Sequence, residues 1–491
     1  MTSDRLHQLN QAPLRAERGF VLYWMTTARR LQANFALQHA VQRAAALGKP
    51  LVILEALRCD YPHASDRLHA FVLQGMAGHA AALAKTNVTY YPYVEPRQGA
   101  GSGLLAALAR HACVVVADWY PAFFLPRMLA AAALQVECAF EAIDTNGILP
   151  VIAAGRAIPM AHGFRSHLQR SLREQLRAWP QEDPLSQLAP KGRALIDAAI
   201  LERWPRADAR VLRGETLATL PIDHDLAPVA IHGGSAAALE RLDAFIEHGL
   251  ARYGEFHNQP EQDATSRLSP WLHFGHLSAH QVFARVMSKE KWTTRKLGTG
   301  ARGAREGWWN VSASAEAFLD ELITWRELAF NTCAFVPHYD RFDALPEWAR
   351  RTLDAHRNDP REHVYTLEQF DAAATHDGLW NAVQRQLTTD GWFHGYMRML
   401  WGKKILEWTA TPAEALARMQ SLMDRYSLDG RDPNSWAGFA WVLGRHDRPW
   451  PEREIFGAVR YMSSANTARK LRVKGYLRQY DGVPSAAERL F

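Results

Sequence analysis

The chain has 491 residues, of which 48% are hydrophobic and 22% charged, with a formal net charge of +6. That length exceeds one typical domain and the apolar content fills two cores, while the mild positive balance is compatible with a nucleic-acid partner without demanding one. The four cysteines, Cys59, Cys113, Cys138 and Cys333, show neither CxxC nor metal-ligand spacing, so free thiols and no zinc site are expected. No apolar run approaches the roughly 18 residues of a membrane helix, and the first residues lack an apolar signal region, so the expected protein is soluble and cytoplasmic.

Short β-rich apolar runs recur in the first third, at residues 20–24, 51–54, 88–94, 113–117 and 136–140, with helical patterns between them at 30–47, 66–85, 104–110 and 125–134. Such alternation predicts a doubly wound parallel sheet covered on both faces, a domain placed at 1–180. Ligands of these sheets lie at the carboxyl ends of the strands, where Met25, Glu55, Asp118 and Asp144 are the candidates. Gly99, Gly101 and Gly103 approach a dinucleotide fingerprint, but Leu104 stands where the third glycine is needed, so the cluster reads as a flexible connection.

Residues 181–235 are proline-rich and weakly patterned, with Asp183–Pro184, Ala189–Pro190 and Trp204–Pro205, and read as an interdomain linker. From 236 to 491 the patterning is helical, giving an all-α second domain. Of the 17 tryptophans only Trp24, Trp119, Trp179 and Trp204 precede residue 270, so the halves differ in chemistry.

The run TSRLSP starts a helix, with Ser269 as the expected N-cap and Pro270 in the first turn, which turns unpaired N–H groups toward an anion. Trp401 and Trp408, seven apart, share a helical face about two turns apart, and Arg398, three before Trp401, offers a cation to an anionic cofactor or to Asp429. Asp432 and Asn434 follow in the same loop. Glu321 and Trp325, four apart with Glu327 beyond, fall in a helical pattern at 315–331 and line one side of a recess, where a desolvated carboxyl gains proton affinity. Positive charge collects at 295–305 and around Arg448, Arg460, Arg469, Lys470, Arg472 and Lys474. The pairs His273/His276 and His356/His363 lack a third ligand, so no metal is assigned.

The literal runs TSRLSPWLHFG (265–275), HGYMRMLWGKKILEW (394–408), LDGRDPN (428–434) and RPWPEREIFGAVRYM (448–462) resemble the class II cyclobutane pyrimidine dimer photolyases. The resemblance extends over most of residues 20–475 and is densest after Tyr253. It implies FAD held in the helical domain, with Tyr253, Thr265, Ser266, Leu268 and Ser269 at the pyrophosphate and Arg398, Asp429, Asp432 and Asn434 at the flavin ring. Met423 stands where the family usually has Asn beside flavin N5, and His257 where it often has Arg.

The same resemblance makes Trp401, Trp380 and Trp408 electron-transfer residues in that order outward. It makes Glu321 the active-site glutamate, Trp325, Met399 and Trp441 lesion contacts, and Arg448 and Arg460 occupants of the helix vacated by the flipped lesion. A second antenna chromophore of unknown identity is implied in the first domain. The implied partner is ultraviolet-damaged DNA containing pyrimidine dimers, with no membrane and no protein partner. The implied activity is a light-driven carbon–carbon lyase that splits the dimer; the alternative is a cryptochrome-like blue-light photoreceptor without repair activity. A dark flavin oxidoreductase would need the nicotinamide site that the glycine cluster fails to supply.

Overall fold

A computed structural model describes residues 3–188 and 192–481; the Ala189–Pro190 pair of the expected linker lies outside them. The chain divides into two compact units, Met1–Ala153 with Ser171–Leu242 and Leu268–Arg285, and Ala154–Arg170 with Asp243–Arg267 and Val286–Phe491.

The first unit is built on β1 (Leu6–Gln8), β2 (Phe20–Met25), β3 (Leu51–Leu57), β4 (Thr89–Val94), β5 (Ala112–Trp119) and β6 (Ala139–Asp144). These form one sheet in the order β1-β6-β5-β2-β3-β4, parallel except for β1, which pairs antiparallel with β6. Val21 pairs with Leu51 and Tyr23 with Ile53, and every residue of β2 is buried. The two-residue period explains this: Val21, Tyr23, Met25, Ile53 and Val116 meet Phe35 and Leu37, while Leu22, Trp24, Leu54 and Val115 meet Leu104, Leu108 and Leu129 on the other face. The helix Phe35–Leu47 begins at Asn34, whose side chain accepts from the Ala36 and Leu37 amides, and stops at Gly48 with φ 63°.

The second unit is helical. Its central helices are Gly378–Asp390, Gly395–Glu407, Pro412–Tyr426 and Pro433–Val442, capped by Asp377, His394, Thr411 and Asp432. Trp380, Phe393, Met397, Leu400, Trp401 and Leu422 form its core. Gly402 lets three of these helices close up, because a Cβ there would stand 2.7 Å from Val442 Cγ2 and 3.0 Å from Met419 Sδ.

Two helical expectations are corrected. The 315–331 pattern is not one α-helix: Ala313–Leu319 and Arg326–Phe335 are α-helical, but Asp320–Trp325 between them is a π-turn, where the Arg326 amide reaches back to the Glu321 carbonyl. The helix of the TSRLSP run begins at Ser269, with Leu268 in the N-cap position and no side-chain cap, so Ser269 is the first helical residue. Among the described residues no helix is long and apolar enough to cross a membrane, and all four cysteines are buried and free.

Candidate active site

Helix Gly395–Glu407 carries the chemistry of the second unit on its first two turns. Arg398 donates from one nitrogen to both Asp429 oxygens, at 3.0 and 3.1 Å. Asp429 is held in turn by the Ser427 hydroxyl at 2.6 Å, and its carbonyl accepts from Ser435 Oγ at 2.7 Å. The loop delivering Asp429 is tight: a Cβ on Gly430 would lie 2.3 Å from the Met423 carbonyl oxygen. Two donors on packed helices, Arg398 Nε and Gln384 Nε2, are buried with no hydrogen-bond partner among the described residues. A buried donor without an acceptor is costly, so both call for one.

The three tryptophans are in contact as a file. Trp401 donates its indole N–H to Gln384 Oε1 at 2.8 Å, Trp380 donates to the Trp401 carbonyl at 3.1 Å, and the Trp380 and Trp408 rings lie 6.0 Å apart. All are buried, at 1%, 0% and 3% exposure for Trp401, Trp380 and Trp408, so Trp408 is the outer end by a small margin. Trp408 caps its helix rather than continuing it. Trp380, from the neighbouring helix, thus lies between Trp401 and Trp408.

Glu321 lies on the π-turn, its side chain open to water with protein atoms crowded around it. Its carboxyl is pushed up to about 7, first by desolvation and then by Asp320, with Arg305 and Arg165 opposing. Water reaching the exposed side chain weakens that desolvation. Trp325, at the end of the same turn, is half-buried. Tyr253 follows a second π-turn, Phe245–Gly249, and packs edge-on against Phe318 at 5.3 Å and flat on His257 at 4.8 Å. Its phenol is held well above its usual range by burial and by the charges of Glu321 and Asp320.

Farther along, Trp441 is half-buried between cations. Lys403 Nζ lies 5.0 Å and the Arg460 guanidinium 5.4 Å from its ring centroid. Arg460 forks onto Asp447 at 2.6 and 2.9 Å and also covers the exposed Trp450 at 4.4 Å, which Arg448 approaches at 5.3 Å.

The chain is 33% identical to a deoxyribodipyrimidine photo-lyase from Methanothermobacter thermautotrophicus across 98% of its own length and 99% of that protein. A photo-lyase of the same name from Oryza sativa subsp. japonica is 36% identical across 94% of this chain and 87% of that one. The chain belongs to the deoxyribodipyrimidine photo-lyase family. No family model matches it. A bacterial class III photolyase structure from Agrobacterium tumefaciens superposes with a TM-score of 0.67 over 94% of this chain and 86% of that one, at 18% identity, and so supports the fold.

Within this photo-lyase fold, the second unit brings together Arg398 with Asp429, the three tryptophans, and Trp441 with Arg460. Met423 is fully buried among core side chains and Met399 passes Gly438. Asp432 is committed to capping helix Pro433–Val442, accepting from the Asn434 amide at 2.9 Å and from Asn434 Nδ2 at 2.6 Å, so both side chains are already engaged within the protein. Thr265 and Ser266 are half-buried between Asp263 and Arg267, which adopt φ of 41° and 54°, a strained turn. The division between units falls after Arg267, so Leu268 and Ser269 belong to the first unit.

At the strand ends of the first unit, Asp118 is spent on the Thr26, Thr27 and Ala28 amides at 2.8, 2.8 and 2.9 Å, and Asp144 on Val151 and Asn146. Glu55 holds His79 at 2.8 Å and Tyr90 at 2.7 Å. Gly99 to Gly103 form the turn into helix Leu104–Ala109, with Gly103 at φ 87°.

Sequence reasoning missed Gln384, Lys403 and Asp320. Lys403 is fully buried, donates to the Val442 carbonyl at 2.6 Å, and is pushed down to about 7 by desolvation. A lysine repeated beside Lys404 on a helix reads as surface, and only the burial of the Lys403 face reveals it.

Proposed function

We propose that the protein repairs cyclobutane pyrimidine dimers in DNA under light, with FAD as cofactor, in the manner of the class II photolyases. The observation carrying this reading is that one helix holds Arg398 against Asp429 and, a turn later, Trp401 at the inner end of a tryptophan file. The unpartnered donors Arg398 Nε and Gln384 Nε2 fit acceptors such as those of a flavin ring, and the Thr265–Ser266 segment, flanked by the positive-φ residues Asp263 and Arg267, fits a phosphate contact. Within the second unit, Arg398, Asp429, Asp432 and Asn434 would hold the ring, with Met423 near it, and Tyr253, Thr265 and Ser266 the pyrophosphate. Bound and fully reduced, FAD supplies the light-driven electron that splits the dimer and takes it back.

The chain's own residues do the rest. Trp325 and Trp441, with Met399, present apolar and aromatic surface to the flipped bases, and Arg448 and Arg460 bring charge to the opened duplex. Glu321, protonated below about pH 7, donates a hydrogen bond to the dimer carbonyl oxygen as that oxygen gains negative charge. Trp408, Trp380 and Trp401 pass an electron inward to keep the cofactor reduced, a task separate from repair. A second, antenna chromophore would belong to the sheet domain.

The test is to illuminate purified, flavin-loaded protein with ultraviolet-treated DNA and count remaining cyclobutane dimers against a dark control. Light-dependent loss of dimers is expected. A flavin that photoreduces while dimers persist would favour the photoreceptor reading, and protein that cannot take up FAD would overturn both.

A further inference from the structure

Asp320, the neighbour of Glu321 on the π-turn, is an acid with an elaborate set of partners. Its side chain is 4% exposed and is gripped by Arg165, Nε to Oδ1 at 2.7 Å and Nη2 to Oδ2 at 3.1 Å, with Arg305 Nε at 3.5 Å from Oδ2. The charged or titratable groups facing Glu321 are therefore Asp320 on its own turn, Arg165 from helix Ala161–Gln175, Arg305 from the basic 295–305 segment and Tyr253 from helix Leu250–Phe256. Two adjacent carboxyls in a desolvated place cannot both carry charge cheaply. Arg165 meets Asp320 with a two-pronged fork, the geometry in which guanidinium binds a carboxylate best. Among the described residues no such fork reaches Glu321, so the arginines favour a carboxylate at Asp320 over one at Glu321.

We infer that the Arg165–Asp320–Arg305 cluster is a positioning device for the repair reaction, with Asp320 holding the proton on Glu321 and the two arginines opposing it. This rests on reading Glu321 as the hydrogen-bond donor to the lesion. A cluster that only tied helix Ala161–Gln175 to the π-turn would respond alike whichever end of the ion pair was cut. A cluster that sets a proton responds with opposite signs. Cutting at Asp320 removes repulsion and leaves cations facing Glu321, so its proton is lost at lower pH; cutting at an arginine does the reverse.

The experiment is the repair yield per absorbed photon of chemically reduced, full-length protein over about pH 6 to 9, in wild type, Glu321→Gln, Asp320→Asn, Arg165→Gln and Arg305→Gln. The wild type is expected to lose yield through about pH 7, and Glu321→Gln, which keeps a donor but cannot titrate, to lack that limb. Asp320→Asn should move the midpoint down by roughly one unit, and each arginine variant should move it up. Arg305, 55% exposed, is replaceable without disturbing a core, so its upward shift can be read even where Asp320→Asn or Arg165→Gln fails to fold. Shifts of the same sign for Asp320 and the arginines, or an unmoved midpoint in Arg305→Gln, would overturn the inference. A Glu321→Gln profile that keeps the wild-type limb would instead overturn the donor reading of Glu321.

Discussion

Trp401 and Trp441 stand on packed helices of the same unit, yet their surroundings are opposite. Trp401 is fully buried, and its N–H points at the neutral oxygen of Gln384, which pairs the indole dipole and adds no charge. Trp441 is half-buried, and two basic side chains, Arg460 and Lys403, the latter charged below about pH 7, lie over its ring. A cation near an indole makes removing an electron harder and makes the ring a better partner for an electron-rich base or a nearby phosphate. The same residue type thus stands in surroundings that fit the two roles proposed for it, losing an electron in one place and holding a ligand in the other. Trp408 illustrates the rule from the other side: Lys404 approaches its ring at 5.2 Å, but that cation is tied to Glu407 at 2.7 Å.

The largest expected effect comes from a residue serving both tryptophans through the cofactor. Arg398→Ala leaves Asp429, only 4% exposed at its side chain, without its counter-charge, and should cost about 3 kcal/mol or more. Urea unfolding and flavin content after purification report it, and both light reactions should vanish together. Retention of bound FAD at wild-type level would show that the Arg398–Asp429 pair does not hold the ring.

Gln384→Leu separates the two sides. It strips the acceptor from the buried Trp401 N–H, which should cost ~1–3 kcal/mol, and it should slow flavin photoreduction while lesion affinity, measured by titration with dimer-containing DNA, stays unchanged. An equal fall in both would mean that Gln384 acts through general loosening.

The smallest effect belongs to Lys403→Met, which removes the cation beneath Trp441 at similar side-chain length. Lys403 titrates near 7 in the folded protein against an ordinary 10.5, so between those values the unfolded chain binds more protons and stability rises with pH. Each pH unit inside that window should bring the wild type ~1 kcal/mol relative to the variant. Melting temperatures at neutral and alkaline pH measure it, and parallel pH profiles would show that Lys403 is charged throughout.

What could be read from sequence divides along physical lines. The alternation of strands and helices in the first third was legible because burial on both faces leaves continuous apolar runs, as in β2 and β5. Strand β1, three half-exposed residues at a sheet edge, leaves no such trace. The spacing of Trp401 and Trp408 suggested one helical face, but Trp408 falls at the C-cap just past the helix end, and the place of Trp380 between them depends on an N–H reaching a carbonyl from the adjacent helix. The π-turn at Asp320–Trp325 was not legible, because one extra residue in a helical turn keeps an apolar pattern that still looks α-helical. Arg165 and Asp320 are 155 residues apart, and no local signal joins them.

The division of labour between the two tryptophans is tested most directly by measuring, side by side, flavin photoreduction and affinity for dimer-containing DNA in Trp401→Phe and Trp441→Ala. The account predicts that Trp401→Phe abolishes photoreduction while chemically reduced protein still binds and repairs dimers. It predicts that Trp441→Ala loses ~1–3 kcal/mol of lesion binding and photoreduces normally. Loss of both properties in either variant, or normal photoreduction in Trp401→Phe, would contradict it.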